Sequence, residues 1–316
     1  EHDPHGENPE MRHTTAAALT ACTLFTIGTA DVLAQEVTFK PDLQEGATMT
    51  YELKSELDVT QEQGETTREE SMEHTATLAF TVESVNEAGG AEISMTFDAI
   101  AMSIATGDSS ESFNWAFTGG DRPDASMGEG INASGFALAG ADVSFTVTPD
   151  GQVENMSGLD EFMGTIQGES SADVARVGVF TPQRLAEAIE PIFDADGGAG
   201  KPREKGANWE ETERVELGPV GTLVLNRQYT YLHHADGAAV VLGTLSVKME
   251  TPDSPPENAP SVKLSGAQGA SAIQWDTTEN ALKQYGRNET MKTAWTMGEV
   301  SIDQMQRSVL TINRAE

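Results

Sequence analysis

Cysteine is nearly missing: Cys22 is the only one in 316 residues. It falls in a segment read below as a leader. The body of the chain therefore forms no disulfide, carries no thiol nucleophile and offers no cysteine zinc site. Basic residues are also few, with 19 Lys and Arg against 51 Asp and Glu and a net charge of −32. Such a surface repels phosphate backbones and anionic headgroups, which argues against nucleic acid as a partner. The acids are spread along the chain rather than clustered, as in a solvated surface. Aromatic residues make up only 6%, poor material for a sugar cleft. After residue 34 no apolar run approaches the roughly 20 residues of a membrane-spanning helix.

Catalytic signatures are equally sparse. There is no G-x-S-x-G. "DGGAGKPRE" has Gly200-Lys201, but Ala195 stands at the first glycine of a phosphate loop and Pro202 replaces Ser/Thr. Asp194, Asp196 and Gly197 resemble the start of a calcium loop, yet Lys205 stands where a bidentate Glu is required. The adjacent His233-His234 are two of only six histidines. Strand neighbours point to opposite faces, so this pair cannot chelate one ion while extended. Asp236-Gly237 behind it reads as a hairpin turn. No catalytic, metal-binding or cofactor-binding residue is assigned, and no cofactor is expected.

What is present begins with a leader. From Met11, a short basic region (Arg12-His13) precedes an apolar, small-residue run from Ala16 to Ala30, ending in Val32-Leu33-Ala34. This three-part layout predicts a secretory signal peptide cleaved between Ala34 and Gln35. "LTAC", Leu19 to Cys22, is the competing lipobox, but Thr23 to Ile27 continue the apolar run beyond the cysteine. Residues 1–10 carry no apolar pattern. Without residues 1–34 the chain keeps 46 acidic and 18 basic residues.

Most of the remainder alternates as half-buried strands do. "MTYELKSELDVTQE" alternates through Met49, Tyr51 and Leu53, then shifts phase towards Leu57 and Val59. "TATLAFTVESV" and "AEISMTFDAIAMSI" follow, divided by the turn "NEAGG". "GDSSES", 107–112, reads as a loop, and Phe145 and Val147 lead into a Pro149-Asp150-Gly151 turn. Helical spacing occurs in the middle. "SGLDEFMGTIQG", 157–168, places Leu159, Phe162, Met163 and Ile166 on one face behind Ser157 as a cap. "TPQRLAEAIEPIF" opens with Thr181 as N-cap and Pro182 at the first helical position, and Pro191 should end or kink it. The layout is thus a first β-rich half at 35–156, a helical insert and linker at 157–200, and a second β-rich half at 201–316. The fold class is mainly β with minor α+β character: antiparallel meanders forming a half-barrel or sandwich around the insert.

The two halves echo one another. "FTVESVNEAGGAEISM" from Phe80 matches "YTYLHHADGAAVVL" from Tyr229 in order and polarity. "EGATMTYEL" at Glu45 matches "KGANWEETERVEL" at Lys205, and "FTVTPDGQV" parallels "IQWDTTENAL". A duplicated unit would produce these matches, and so would any two antiparallel meanders.

"EKGANWEET" with Trp209, followed by "GTLVLNRQYTYLHHADGAAV", resembles a secreted bacterial family of unknown function frequent in planctomycetes. The likeness extends to Gly46–Leu53 after the leader and to Trp275-Asp276 near the end, and departs at Ala207-Asn208. It implies export and a β-rich fold, and carries over no catalytic residue.

The functional expectation is an exported, non-catalytic binding scaffold with an apolar ligand in a sheet-lined groove, as in half-barrel lipoprotein carriers whose sheet curls around a helix. Met49, Met95, Met102, Met156 and Met163 are candidates for lining such a groove or for ordinary core. The alternatives are an envelope interaction protein without a small ligand, and a hydrolase with dispersed carboxylates.

Overall fold

The computed structural model describes residues 36–166, 178–195, 197, 200–217, 220–252 and 261–315. The leader, its cleavage point, Cys22 and Asp196 lie outside them. The alternating segments assemble into one antiparallel sheet. The first half contributes β1 (Thr48–Gln63), β2 (Thr66–Val85), β3 (Ala91–Thr106), β4 (Ser109–Ala116), β5 (Asp142–Val147) and β6 (Val153–Ser157). The second contributes β7 (Asn208–Glu216), β8 (Thr222–Ala235), β9 (Ala238–Glu250), β10 (Ser261–Asp276), β11 (Ala281–Met297) and β12 (Val300–Arg314). Their order is β6-β5-β3-β2-β1-β12-β11-β10-β9-β8-β7, with β4 also on β3. Consecutive strands pair as a meander. The chain ends meet in the middle, where β1 pairs β12 over Tyr51↔Arg314 to Glu62↔Asp303.

Among the described residues three α-helices cover one face: α1 (Ile131–Gly140), α2 (Asp160–Ile166) and α3 (Pro182–Phe193). Helix α3 shows how strongly the sheet curls. It packs on β6 and reaches β11, while its Glu190 interacts electrostatically with Glu211 and Glu213 of β7. In a flat sheet β6 and β7 would lie about 48 Å apart, at about 4.8 Å per strand. A 12-residue helix is only about 18 Å long. The sheet therefore curls around α3, which packs on the β6 edge and on β11, although the described strands do not close the ring.

Apolar alternation puts the core on the helix-bearing face. Tyr51, Leu53, Leu78, Phe80, Ile93, Phe97, Val241, Ile273, Trp275 and Ile312 are essentially fully buried there. They meet Leu185, Ile189, Ile192 and Phe193 of α3 and Leu138 of α1 in one cluster. Phe193 sets its ring edge-on to Phe80 and Phe145, with centroids 6.0 and 5.8 Å away.

Several local expectations are corrected. Strand β1 has no phase shift: its register with β2 is unbroken, and Ser55 holds the core-facing place between Leu53 and Leu57. Ser109 to Ser112 belong to strand β4 rather than a loop, because Gly107 and Asp108 alone turn the chain. Ser157 is not a helix cap: it ends β6, its Oγ 2.8 Å from that of Ser144, and α2 starts at Asp160. Thr181 precedes Pro182 as expected but makes no side-chain cap bond. Pro191 does not stop α3, which continues to Phe193 and closes with Asp194 N donating to Glu190 O at 2.9 Å. A proline so near the C-terminus removes a single ladder bond, and the buried Ile192 and Phe193 hold the last turn. Helix α1 was not expected inside the first half. "INASGFALAG" is mostly small and apolar on every side, with only Asn132 and Ser134 polar, and has no stripe to detect. It lies so close to the sheet that a side chain at Gly135 would meet the Phe113 ring at 2.3 Å.

The two halves share specific contacts. Gly46 N donates to Val82 O at 2.8 Å, and Val82 N to Ala47 O at 2.9 Å. In the second half Gly206 N donates to Tyr231 O at 2.8 Å, and Tyr231 N to Ala207 O at 3.0 Å. Both glycines have positive φ, 78° and 87°. Each hairpin has its register shift one residue later, after Val82 and after Tyr231. Outward neighbours also correspond, Ile93↔Phe145 in one half and Val241↔Ile273 in the other.

Candidate binding site

Strand register defines an inner face whose burial fades along its length. At one end the turns after β5, β8 and β10 gather around residues 36–40. Val37 and Arg203 exchange backbone hydrogen bonds at 2.9 and 2.8 Å. The Phe39 ring packs against Tyr231, Trp275 and Trp209, with centroids 5.5 to 6.4 Å away. Asn280 Nδ2 donates to Lys40 O at 3.1 Å, and Lys40 Nζ donates to Pro149 O. That end is sealed by aromatic packing.

Towards the β1–β2 and β11–β12 tips the same face is only half-buried and mixes apolar with polar side chains, Ser308, Gln306 and Gln304 of β12 lying between β1 and β11. Leu57 and Val59 of β1, Leu264 of β10, Met291 and Trp295 of β11 and Ile302 of β12 share it. The tip pair Met297 and Val300 is exposed, at 66% and 42%. Neighbouring positions on the other face are polar: Asp58, Lys292, Asp303 and Arg307. Apolar side chains therefore persist on this face past the buried core, interspersed with polar ones.

Between the packed and half-buried parts lies a cluster of charges. Arg227 of β8 is 7% exposed. Its guanidinium donates to Glu213 at 2.8 Å and to Glu289 at 3.3 Å. Burial alone would lower its pKa, but these two carboxylates outweigh burial and hold it raised. Its Nε is buried without a hydrogen-bond partner. Arg287 Nε lies 3.6 Å from Glu289. Tyr229 OH donates to Glu211 at 3.2 Å, and burial first, then Tyr285 and Glu211, raise its pKa. Glu190 faces this cluster from α3. Burial first, then Glu211, Glu187 and Glu213, push its pKa up to about 7 against the opposing pull of Arg227. Glu190 also lines a cleft of ≈ 310 Å³ between α3 and β6, with Val153, Glu154, Met156, Pro182 and Ala186.

The double histidine is the end of a hairpin. Asp236 and Gly237 turn with φ of 52° and 75°, the mirror-type turn that suits strand twist. Leu232 is the extra residue of a bulge, so His233 pairs Val240 and His234 pairs Ala239. His234 Nε2 lies 3.0 Å from Thr277 Oγ1, which donates to Gly237 O at 2.8 Å. Among the described residues no three His, Cys, Asp or Glu side chains gather as metal ligands do. Asp194 and Gly197 follow α3, and Gly200-Lys201 lead into the connector before β7. Met95 and Met102 are fully buried, and Met49, Met156 and Met163 pack against the core. Four of the methionines named from sequence are thus core, Met156 also lines the cleft, and the half-buried inner face is lined by residues that were not singled out. "TAWTM" and "SID" carried the alternation, but nothing in the sequence said which face the helices would leave uncovered.

No protein-family model and no curated protein matches the chain. Among solved structures, it is similar to lipovitellin in a structure describing lipid–protein interactions, at 10% identity and TM-score 0.44. That alignment covers 86% of this chain and 25% of lipovitellin, so the chain spans about a quarter of its length. The OccK5 (OpdH) protein of Pseudomonas aeruginosa aligns at 6% identity and TM-score 0.26, covering 87% of this chain and all of that one. The translocator domain of the autotransporter NalP from Neisseria meningitidis aligns at 6% identity and TM-score 0.18, covering 85% and 88%. The likeness is one of β-rich architecture alone.

Proposed function

We propose that the chain is an exported, non-catalytic binding scaffold that holds an apolar ligand against the inner face of its curled sheet. The supporting observation is a set of half-buried apolar side chains, Leu57 and Val59 of β1 and Met291, Trp295 and Ile302 of β11 and β12, on the face that carries the core. Apolar surface left partly in water favours an apolar partner at about 25 cal/mol per Å² removed. Export is supported by the leader pattern of residues 11–34, with cleavage after Ala34. The resemblance to the secreted planctomycete family belongs to the same reading. So does duplication: the Gly46–Val82 and Gly206–Tyr231 contacts and the matching bulges support one unit used twice.

Native mass spectrometry after gentle purification tests ligand carriage. A reproducible co-purifying apolar molecule, lost when Val59 and Met291 are replaced by Glu, is expected. A clean apo mass from the native host would favour the envelope interaction protein instead.

A further inference from the structure

Two arginines on the inner face carry more hydrogen-bond donors than the side chains around them accept. They lie in adjacent cross-strand rows, Tyr229–Gly243–Ser271–Arg287 and Arg227–Leu245–Gly269–Glu289. In a flat sheet β8 and β11 would lie about 14 Å apart, at about 4.8 Å per strand. Arg227 nevertheless reaches Glu289 at 3.3 Å. The sheet curls, and Gly269 leaves its place in the row empty: a Cβ there would meet Leu245 and Glu289 at 3.0 and 3.1 Å. A Cβ at Gly243 would strike Ser271 Oγ. Beside these glycines a small hollow of ≈ 10 Å³ remains, lined by Arg227, Leu245, Ser271, Arg287 and Glu289. That is about the least space that admits one water-sized group.

The chemistry of the lining selects what can enter. Arg227 commits its two Nη groups to Glu213 and Glu289, and its buried Nε has no partner. Among the described residues Arg287 makes no hydrogen bond, since 3.6 Å from its Nε to Glu289 is too long for one. Charge, by contrast, is already balanced. Arg227 and Arg287 face Glu213 and Glu289, and Glu211 stands beside Tyr229 as a further acid. A second anion would be repelled, and a cation would meet N–H groups. A neutral acceptor oxygen satisfies the free donors without disturbing the balance.

The hollow adjoins the half-buried apolar side chains. Met291 follows Arg287 on the same face of β11, about 13 Å along the strand. Leu57 and Val59 lie across β12 from Glu289 and Met291. We propose that this hollow is the subsite for the polar end of the ligand: Arg287, with Ser271 and the unpaired Arg227 Nε, takes a neutral carbonyl oxygen such as that of an ester, and the hydrocarbon runs along Met291, Leu57 and Val59. The subsite rests on the apolar-ligand reading and narrows it, from any apolar molecule to an ester-like amphiphile.

Equilibrium dialysis of the full chain against methyl laurate, laurate and dodecane, each radiolabelled, tests it. Methyl laurate should bind about tenfold or more tighter than dodecane, the gain of a hydrogen bond to a charged donor, and tighter than laurate. Arg287→Leu should bring the ester-to-hydrocarbon ratio close to one while dodecane still binds. Ser271→Ala, a smaller change that keeps both arginines, should lower the ratio about threefold, and circular dichroism checks that each variant folds. Equal binding of methyl laurate and dodecane by the wild type overturns the subsite and leaves the apolar-ligand reading standing. A ratio unchanged in both variants does the same. Laurate as the tightest of the three overturns the neutral head group. Binding of none of the three overturns the subsite and the apolar-ligand reading together.

Discussion

Phe193, the last residue of α3, meets Phe80 of β2 edge-on, 6.0 Å between ring centroids. Both rings are almost fully buried, and the pair fastens the helix to a central strand. Phe193→Ala should cost about 3–5 kcal/mol, through lost burial and the cavity left behind. Gln183→Ala, on the exposed side of the same helix, should change stability by less than about 0.5 kcal/mol. Denaturant unfolding monitored by circular dichroism measures both.

Arg227 is a second point of concentration. Removing it leaves Glu213 and Glu289 close together with only Arg287 for relief. Arg227→Ala should destabilise by about 3–5 kcal/mol, the range for breaking a buried ion pair from one side. Thermal midpoints of the variant and the wild type give the comparison.

The paired glycine turns make duplication measurable. Gly46 and Gly206 both have positive φ, and a side chain at either would meet nothing within 4 Å. Replacement by Ala therefore tests backbone conformation alone, at about 1 kcal/mol each. The two costs should agree within about 0.5 kcal/mol if the turns are equivalent. A neutral Gly206→Ala beside a costly Gly46→Ala would count against equivalence.

Zinc provides a simple check on the double histidine. His234 is engaged with Thr277, and His233 pairs Val240 across the bulge. Added zinc should leave the thermal midpoint unchanged and should be removed by dialysis. Zinc retained by the wild type and lost from His233→Ala would refute the hairpin reading.

Much of the architecture was legible because alternation is a local signal. The segments from Met49 to Val59, Leu78 to Val82, Ile93 to Phe97 and Tyr229 to Leu242 all became strands, and "TPQRLAEAIEPIF" became α3 nearly to the residue. Helix α1 was missed because its small and apolar residues lie on every side, and Asn132 and Ser134 alone mark no polar face. Strand β4 was missed because "SSESFNWA" starts with residues that usually turn. The candidate site was the least legible part: Glu190, Glu211, Arg227 and Glu289 are far apart in sequence, and in so acidic a chain no spacing distinguishes them from solvated neighbours.

The sequence by itself determined the class of structure: an antiparallel, acidic, cysteine-free body with one strong amphipathic helix. Periodicity and turn chemistry act over a few residues, and a single chain displays them in full. Only the tertiary structure decided that the sheet curls around α3, that most of the named methionines are core, and that Glu213 and Glu289 share the buried Arg227. Those outcomes depend on strand order, twist and the depth of burial, which arise from contacts between residues remote along the chain.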